Sequence, residues 1–142
     1  MSIQNFNNHR RFVPLYHYVS SFLWLAILIG AIVNLVNSAK ENVYSASLIL
    51  ALTILVGLVW WFSRSFALKA QDRIIRAEEN FRHLIATGKP LPSQLRMNQI
   101  IALRFASDEE WLHLIAKALD EKLNQQQIKK AIVNWKADHY RV

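Results

Sequence analysis

The chain has 142 residues, no cysteine, three glycines and a net charge of +7. Lack of cysteine excludes a disulfide framework, a thiolate metal site and a cysteine nucleophile, and so few glycines leave little from which to build a phosphate-binding loop. The apolar residues are gathered into two long runs, so the positive charge belongs to the flanking segments, where it suits anionic lipid, nucleic acid or an acidic protein.

The first run, Leu15–Val36, is long enough for a helix to cross the hydrocarbon core, which takes about 20 mostly apolar residues. Residues 12–39 contain no Lys, Arg, Asp or Glu, show no small-residue cleavage site and are soon followed by a second apolar run, so the span is expected to be retained. Residues 44–63 form that second run, and the polar linker 37–43 permits only an antiparallel turn. A transmembrane hairpin is therefore expected over residues 15–63, after an N-terminal segment 1–14. The linker sets Lys40 against Glu41, whereas Arg10 and Arg11 precede the first span and Arg64, Lys69, Arg73 and Arg76 follow the second. By the positive-inside rule both termini are cytoplasmic, with those last four side chains at anionic headgroups. Tyr16, Tyr18, Trp60 and Trp61 then share one interfacial depth. Ala26, Gly30, Ser47 and Ala51 are the small residues expected to let the spans pack closely, and Ser45 or Ser47 the hydroxyl expected to satisfy Asn34.

No Gly or Pro interrupts residues 63–87, so the second span is expected to continue as one helix to Gly88, with Gly as C-terminal cap and Pro90 preventing resumption. Phe66, Ala70, Ile74, Ala77, Phe81 and Leu84 recur on one stripe of this stalk, residues 64–88, and something must cover it. Asp72 with Arg76 and Glu78 with Arg82 stand four apart and suit a solvated face. In the tail, residues 89–142, short helices are predicted near 97–105, over 108–122 behind a Ser107–Glu110 capping box, and over 125–137 behind Asn124. Their apolar faces are too few for a large independent core, so the tail is expected to pack on the stalk or on a partner.

Chemistry is sparse in this pattern. The Glu110-x-x-His113 pair has no second copy, so ion pairing is the favoured reading over metal, and no catalytic, metal or cofactor residue is expected. The 108–122 and 125–137 helices resemble a helix-turn-helix that would present Gln126, Gln127, Lys130 and Asn134 to base edges, but the turn lacks the usual glycine.

The segments RSFALKAQDRIIRAEENFRHLIATGKPL (64–91), QIIALRFASDEE (99–110) and KKAIVNWKADHYRV (129–142) resemble a family of small uncharacterised bacterial two-span membrane proteins, a domain of unknown function family. That resemblance implies an inner-membrane location and carries no activity or site with it. The sequence therefore predicts an all-α protein: a transmembrane hairpin, a long cytoplasmic helix and a small helical tail. Its expected function is that of a non-enzymatic interaction or scaffold protein, an accessory subunit of a larger membrane complex. Its partner is another membrane protein or itself, with Ile74, Phe81, Trp111 and Trp135 as contacts. A membrane-tethered nucleic-acid-binding protein is the less favoured alternative.

Overall fold

The computed structural model describes residues 4–9 and 12–138. A π-helical stretch, Leu15–Ser20, leads into α1, Ser21–Val36; α2 is Val43–Thr87, α3 Met97–Leu103, α4 Asp108–Asp120 and α5 Gln125–Ala131. Among the described residues the only extended pairing is one antiparallel bridge between Ala106 and Trp135. The architecture is thus the all-helical one expected, with a second apolar helix that runs unbroken to Thr87 and stops where Gly88 takes a φ of 70°. Two compact units divide the chain between Ala67 and Leu68, and residues before Phe12 belong with the second of them.

In the first unit, residues 12–67, α1 and the beginning of α2 form an antiparallel hairpin joined by residues 37–42. Tyr16 stacks on Trp60 with ring centroids 5.0 Å apart and donates its hydroxyl to the Trp60 carbonyl at 3.0 Å. Two turns further along α1, the Trp24 indole donates to the Thr53 carbonyl at 3.0 Å. A Cβ on Gly57 would lie 2.6 Å from that indole, so the missing side chain is what lets the ring lie across α2. Ala31 and Ala46 are buried where the helices near their turn. The hairpin therefore packs through Tyr16, Trp24 and Ala31 against Ala46, Thr53, Gly57 and Trp60, which stand seven, four and three residues apart on one face of α2.

This corrects the small-residue face expected from sequence. Ala26, Gly30, Ser47 and Ala51 are all exposed, and a Cβ on Gly30 would meet nothing within 4 Å. Asn34 is exposed as well, while the hydroxyls of Ser45 and Ser47 turn back to the carbonyls of Asn42 and Tyr44. The reason is volume: one Trp ring set over one Gly fixes the rotation of both helices and turns those four small residues outward.

In the second unit the stretches expected as a separate stalk and tail fold together. Ile75 on α2 joins Leu95, Ile100, Leu103, Phe105, Trp111 and Ile128 in one buried cluster, so the tail does pack on the long helix. The connection from α2 is held by the His83 imidazole, whose Nδ1 donates to the Lys89 carbonyl at 2.8 Å, and by Asn80, whose Oδ1 accepts from the Leu91 N–H at 2.9 Å. Asn124 caps α5 as predicted, accepting from Gln126 and Gln127 N–H.

Two local expectations fail for a common cause. The Ser107 hydroxyl makes no cap to α4, and the Glu110 carboxylate accepts instead from the N–H groups of Val133 and Asn134, at 3.1 and 2.9 Å. α5 stops at Ala131 because the following residues run extended beside residues 105–107, with Ser107 donating to the Asn134 carbonyl and Lys136 to that of Phe105. Burial of Ile132 and this ladder outweigh the intrinsic preference of 132–137 for helix.

Candidate functional site

Arg82 is the charged centre of the second unit. Its guanidinium lies over the Trp111 ring at 4.4 Å, donates to the Ala106 carbonyl at 2.9 Å, and bonds the carboxylates of Asp108 and Glu79 at 2.7 and 3.3 Å. One side chain from α2 thereby reaches the α3–α4 loop, the start of α4 and the largest buried ring. The planar fork suits this task, since it stacks and donates at once. The predicted i,i+4 partner Glu78 is left exposed. His83, one residue on, meets Trp111 edge-on at 5.7 Å.

Burial pushes the Glu79 carboxyl above the ordinary carboxylate value of 4.5, against the opposing charge and hydrogen bond of Arg82. The Trp111 indole N–H lies outside hydrogen-bond geometry but still favours the Glu79 charge. Asp108 is held below the usual carboxylate range by its hydrogen bond to Arg82. Because the folded-state value of Glu79 is raised, its contribution to stability is complete below 4.5 and lost as pH rises through that folded value. Glu79→Gln is therefore expected to melt higher than the parent at about pH 7 and to converge with it at about pH 4. Tryptophan-monitored thermal melts at both pH values check this, and parallel curves would show that Arg82 fully offsets the burial.

On the other side of the unit the N-terminal segment is bound. His9 is buried between the rings of Phe105 and Trp135, at 5.9 and 5.7 Å, and its Nε2 accepts from the Lys129 ammonium at 3.0 Å. Gln4 pairs its side-chain amide with the backbone of Asp138, donating to the carbonyl at 3.1 Å and accepting from the N–H at 2.8 Å. Arg104 lies on Phe105 and reaches the Asp138 carboxylate at 3.2 Å; burial lowers its pKa from the usual arginine value. A sequence reading isolates residues 1–14 and misses all of these contacts; the only hint is a histidine and a phenylalanine, His9 and Phe6, in a polar stretch.

The residues expected at partner contacts separate into two groups. Ile74 and Phe81 are 58% and 62% exposed, on a face of α2 that the tail leaves open. Trp111, at 1% exposure, is core and is not presented to a partner, whereas Trp135 is half-buried, packed on Phe105 and His9. The Trp111 ring is needed inside because the helices of this unit are short and large side chains must supply the core. Among the residues expected at headgroups, Lys69, Arg73 and Arg76 are exposed and Arg64 lies over the Tyr16 ring at 5.6 Å. Arg10 and Arg11 fall outside the described residues.

A cleft of about 730 Å³ opens between α3 and the α4–α5 turn, lined by Arg96, Asp120, Lys122, several amides and the apolar Leu119 and Leu123. Gln99 crosses it to donate to the Leu123 carbonyl at 2.8 Å. The lining offers side-chain amide donors and acceptors beside the charges of Arg96, Asp120 and Lys122. Among the described residues no three His, Asp or Glu side chains converge as metal ligands. Of the four residues aimed at bases in the helix-turn-helix reading, Gln126 and Lys130 are exposed on α5, whereas the Gln127 side chain accepts from the Asn124 N–H at 2.7 Å.

The fold and these surfaces define an all-α protein with two helices long and apolar enough to cross a membrane, the second continuing into a helical unit clamped by Arg82. The model of a family of unknown function (DUF6526) matches residues 1–142, and the chain belongs to that family. No curated protein and no solved structure matches it.

Proposed function

We propose that this is a non-enzymatic protein of the bacterial inner membrane, inserted as a two-span hairpin with both termini cytoplasmic, that docks on another membrane protein or on its own copy. The packing of residues 4–9 on the C-terminal unit carries the topology. Gln4 with Asp138 and His9 with Lys129 join the segment before the first apolar helix to the segment after the second. Chain ends that meet must lie on one side of a bilayer, and two crossings satisfy this where one does not. Only 6% of the most apolar window of the first helix and 11% of that of the second is buried, which suits contact with lipid far better than water. The exposed Lys69, Arg73 and Arg76 supply positive charge beyond the second span, each contributing about 1 kcal/mol near anionic headgroups.

Single cysteines in this cysteine-free chain test the topology. Lys40→Cys is expected to react with a membrane-impermeant maleimide from outside intact spheroplasts, and Asp120→Cys only after lysis. The opposite pattern would invert the orientation, and labelling of both sites before lysis would remove the hairpin. The docking half rests on the open face of α2: Phe81→Asp should leave the helical content and melting of the purified protein within about 0.5 kcal/mol of the parent while reducing its association in membranes. Unchanged association would remove Phe81 from the interface.

A further inference from the structure

We propose that α2 pairs in parallel with the same helix of a second copy of this chain, along a seam of Ala70, Ile74, Ala77, Phe81 and Leu84. This deepens the docking half of the proposed function and rests on its membrane topology, because two copies inserted alike bring these helices together only in parallel. Successive seam residues are four, three, four and three apart, the alternation of d and a positions in a heptad. All five are exposed, whereas Ile75, Glu79 and His83, on the other side of the same helix, are buried beneath the chain's own tail. The fold thus covers one face of the helix and leaves the heptad face open.

Charge selects the occupant. Arg73 stands just before Ile74, at a g position, and Glu78 just after Ala77, at an e position. In a parallel pair each g residue faces the e residue five places on in the neighbouring helix, so Arg73 meets the partner subunit's Glu78, and two-fold symmetry repeats the contact. An antiparallel pair matches g with g, and the g residues here, Phe66, Arg73 and Asn80, include no acid. Within the chain, among the described residues, neither Arg73 nor Glu78 forms an ion pair, since Arg82 turns to Glu79 and Asp108. Ala70 and Ala77 at d let the backbones approach, with Ile74 and Phe81 filling the a layers between them.

The test is disulfide crosslinking of the full chain in native membranes under mild oxidation, with single cysteines at Ala70 and Ala77 on the seam and at Arg76 and Ala86 off it. Homodimer at the seam positions is expected to exceed that at the off-seam positions by about fivefold, because only facing positions bring Cβ atoms within disulfide reach. On the Ala77→Cys background, Arg73→Glu should lower the homodimer yield about threefold, and Arg73→Glu combined with Glu78→Arg should restore it. Equal yields at all four positions, no homodimer, crosslinks only to a chain of different mass, or a charge swap without effect would each overturn the pairing. Extraction of the same membranes with alkaline carbonate separates the two readings: release of the protein would overturn membrane insertion, while the crosslinking pattern still decides the pairing.

Discussion

Trp111→Ala is expected to unfold the C-terminal helical unit, at a cost of about 3–5 kcal/mol. The ring is the largest fully buried side chain among the described residues, with Arg82 stacked on one face and His83 at its edge. Its removal leaves a cavity that cannot close, because α4 is tied at its first turn through Glu110 to the chain after α5 and through Asp108 to Arg82. Loss of helical circular dichroism from the tail, with the apolar hairpin still helical, is the expected result. Phe81→Ala provides the contrast: an equally aromatic residue on the same unit, but an exposed one, whose loss should cost under about 1 kcal/mol. Similar melting of the two variants would contradict the burial pattern.

Arg82→Met comes second, at about 3 kcal/mol, for an electrostatic reason. Methionine keeps much of the apolar packing on Trp111, so the loss measures the charge and its hydrogen bonds. Without the guanidinium, Glu79 keeps its burial and loses its main compensation, and the Ala106 carbonyl loses a donor. Combining Arg82→Met with Glu79→Gln should recover about 1 kcal/mol or more relative to the single variant, since the buried charge disappears with its partner. Strict additivity in that double-mutant cycle would mean that the two groups act independently and that Arg82 works through Asp108 and Ala106 alone. Arg82→Lys should fall between, because an ammonium replaces the charge but neither the stack nor the fork.

Several features were legible in the chain because short-range rules govern them. Gly88 ends α2, Asn124 begins α5, and the apolar runs mark the hairpin helices. The misreadings share a pattern. Ser107–Glu110 satisfies the spacing of a capping box, yet the backbone of Val133 and Asn134, 23 or more residues away, competes for the same carboxylate. Trp111 and Phe81 both sit on apolar stripes; which one becomes core depended on which face of α2 the tail would cover. Small residues on both spans suggested a packing face, but the ring of Trp24 over Gly57 set a different rotation.

Composition and periodicity by themselves determined that this chain is helical, that two helices are apolar on all sides, and that the second outruns the first, since each follows from residue type and spacing along one segment. Only the tertiary structure decided that residues 4–9 close onto the tail, that Arg82 clamps Trp111, and that Ile74 and Phe81 remain open. Those outcomes depend on contacts between residues as much as 134 positions apart, as Gln4 and Asp138 are, and no local pattern encodes which distant groups will meet.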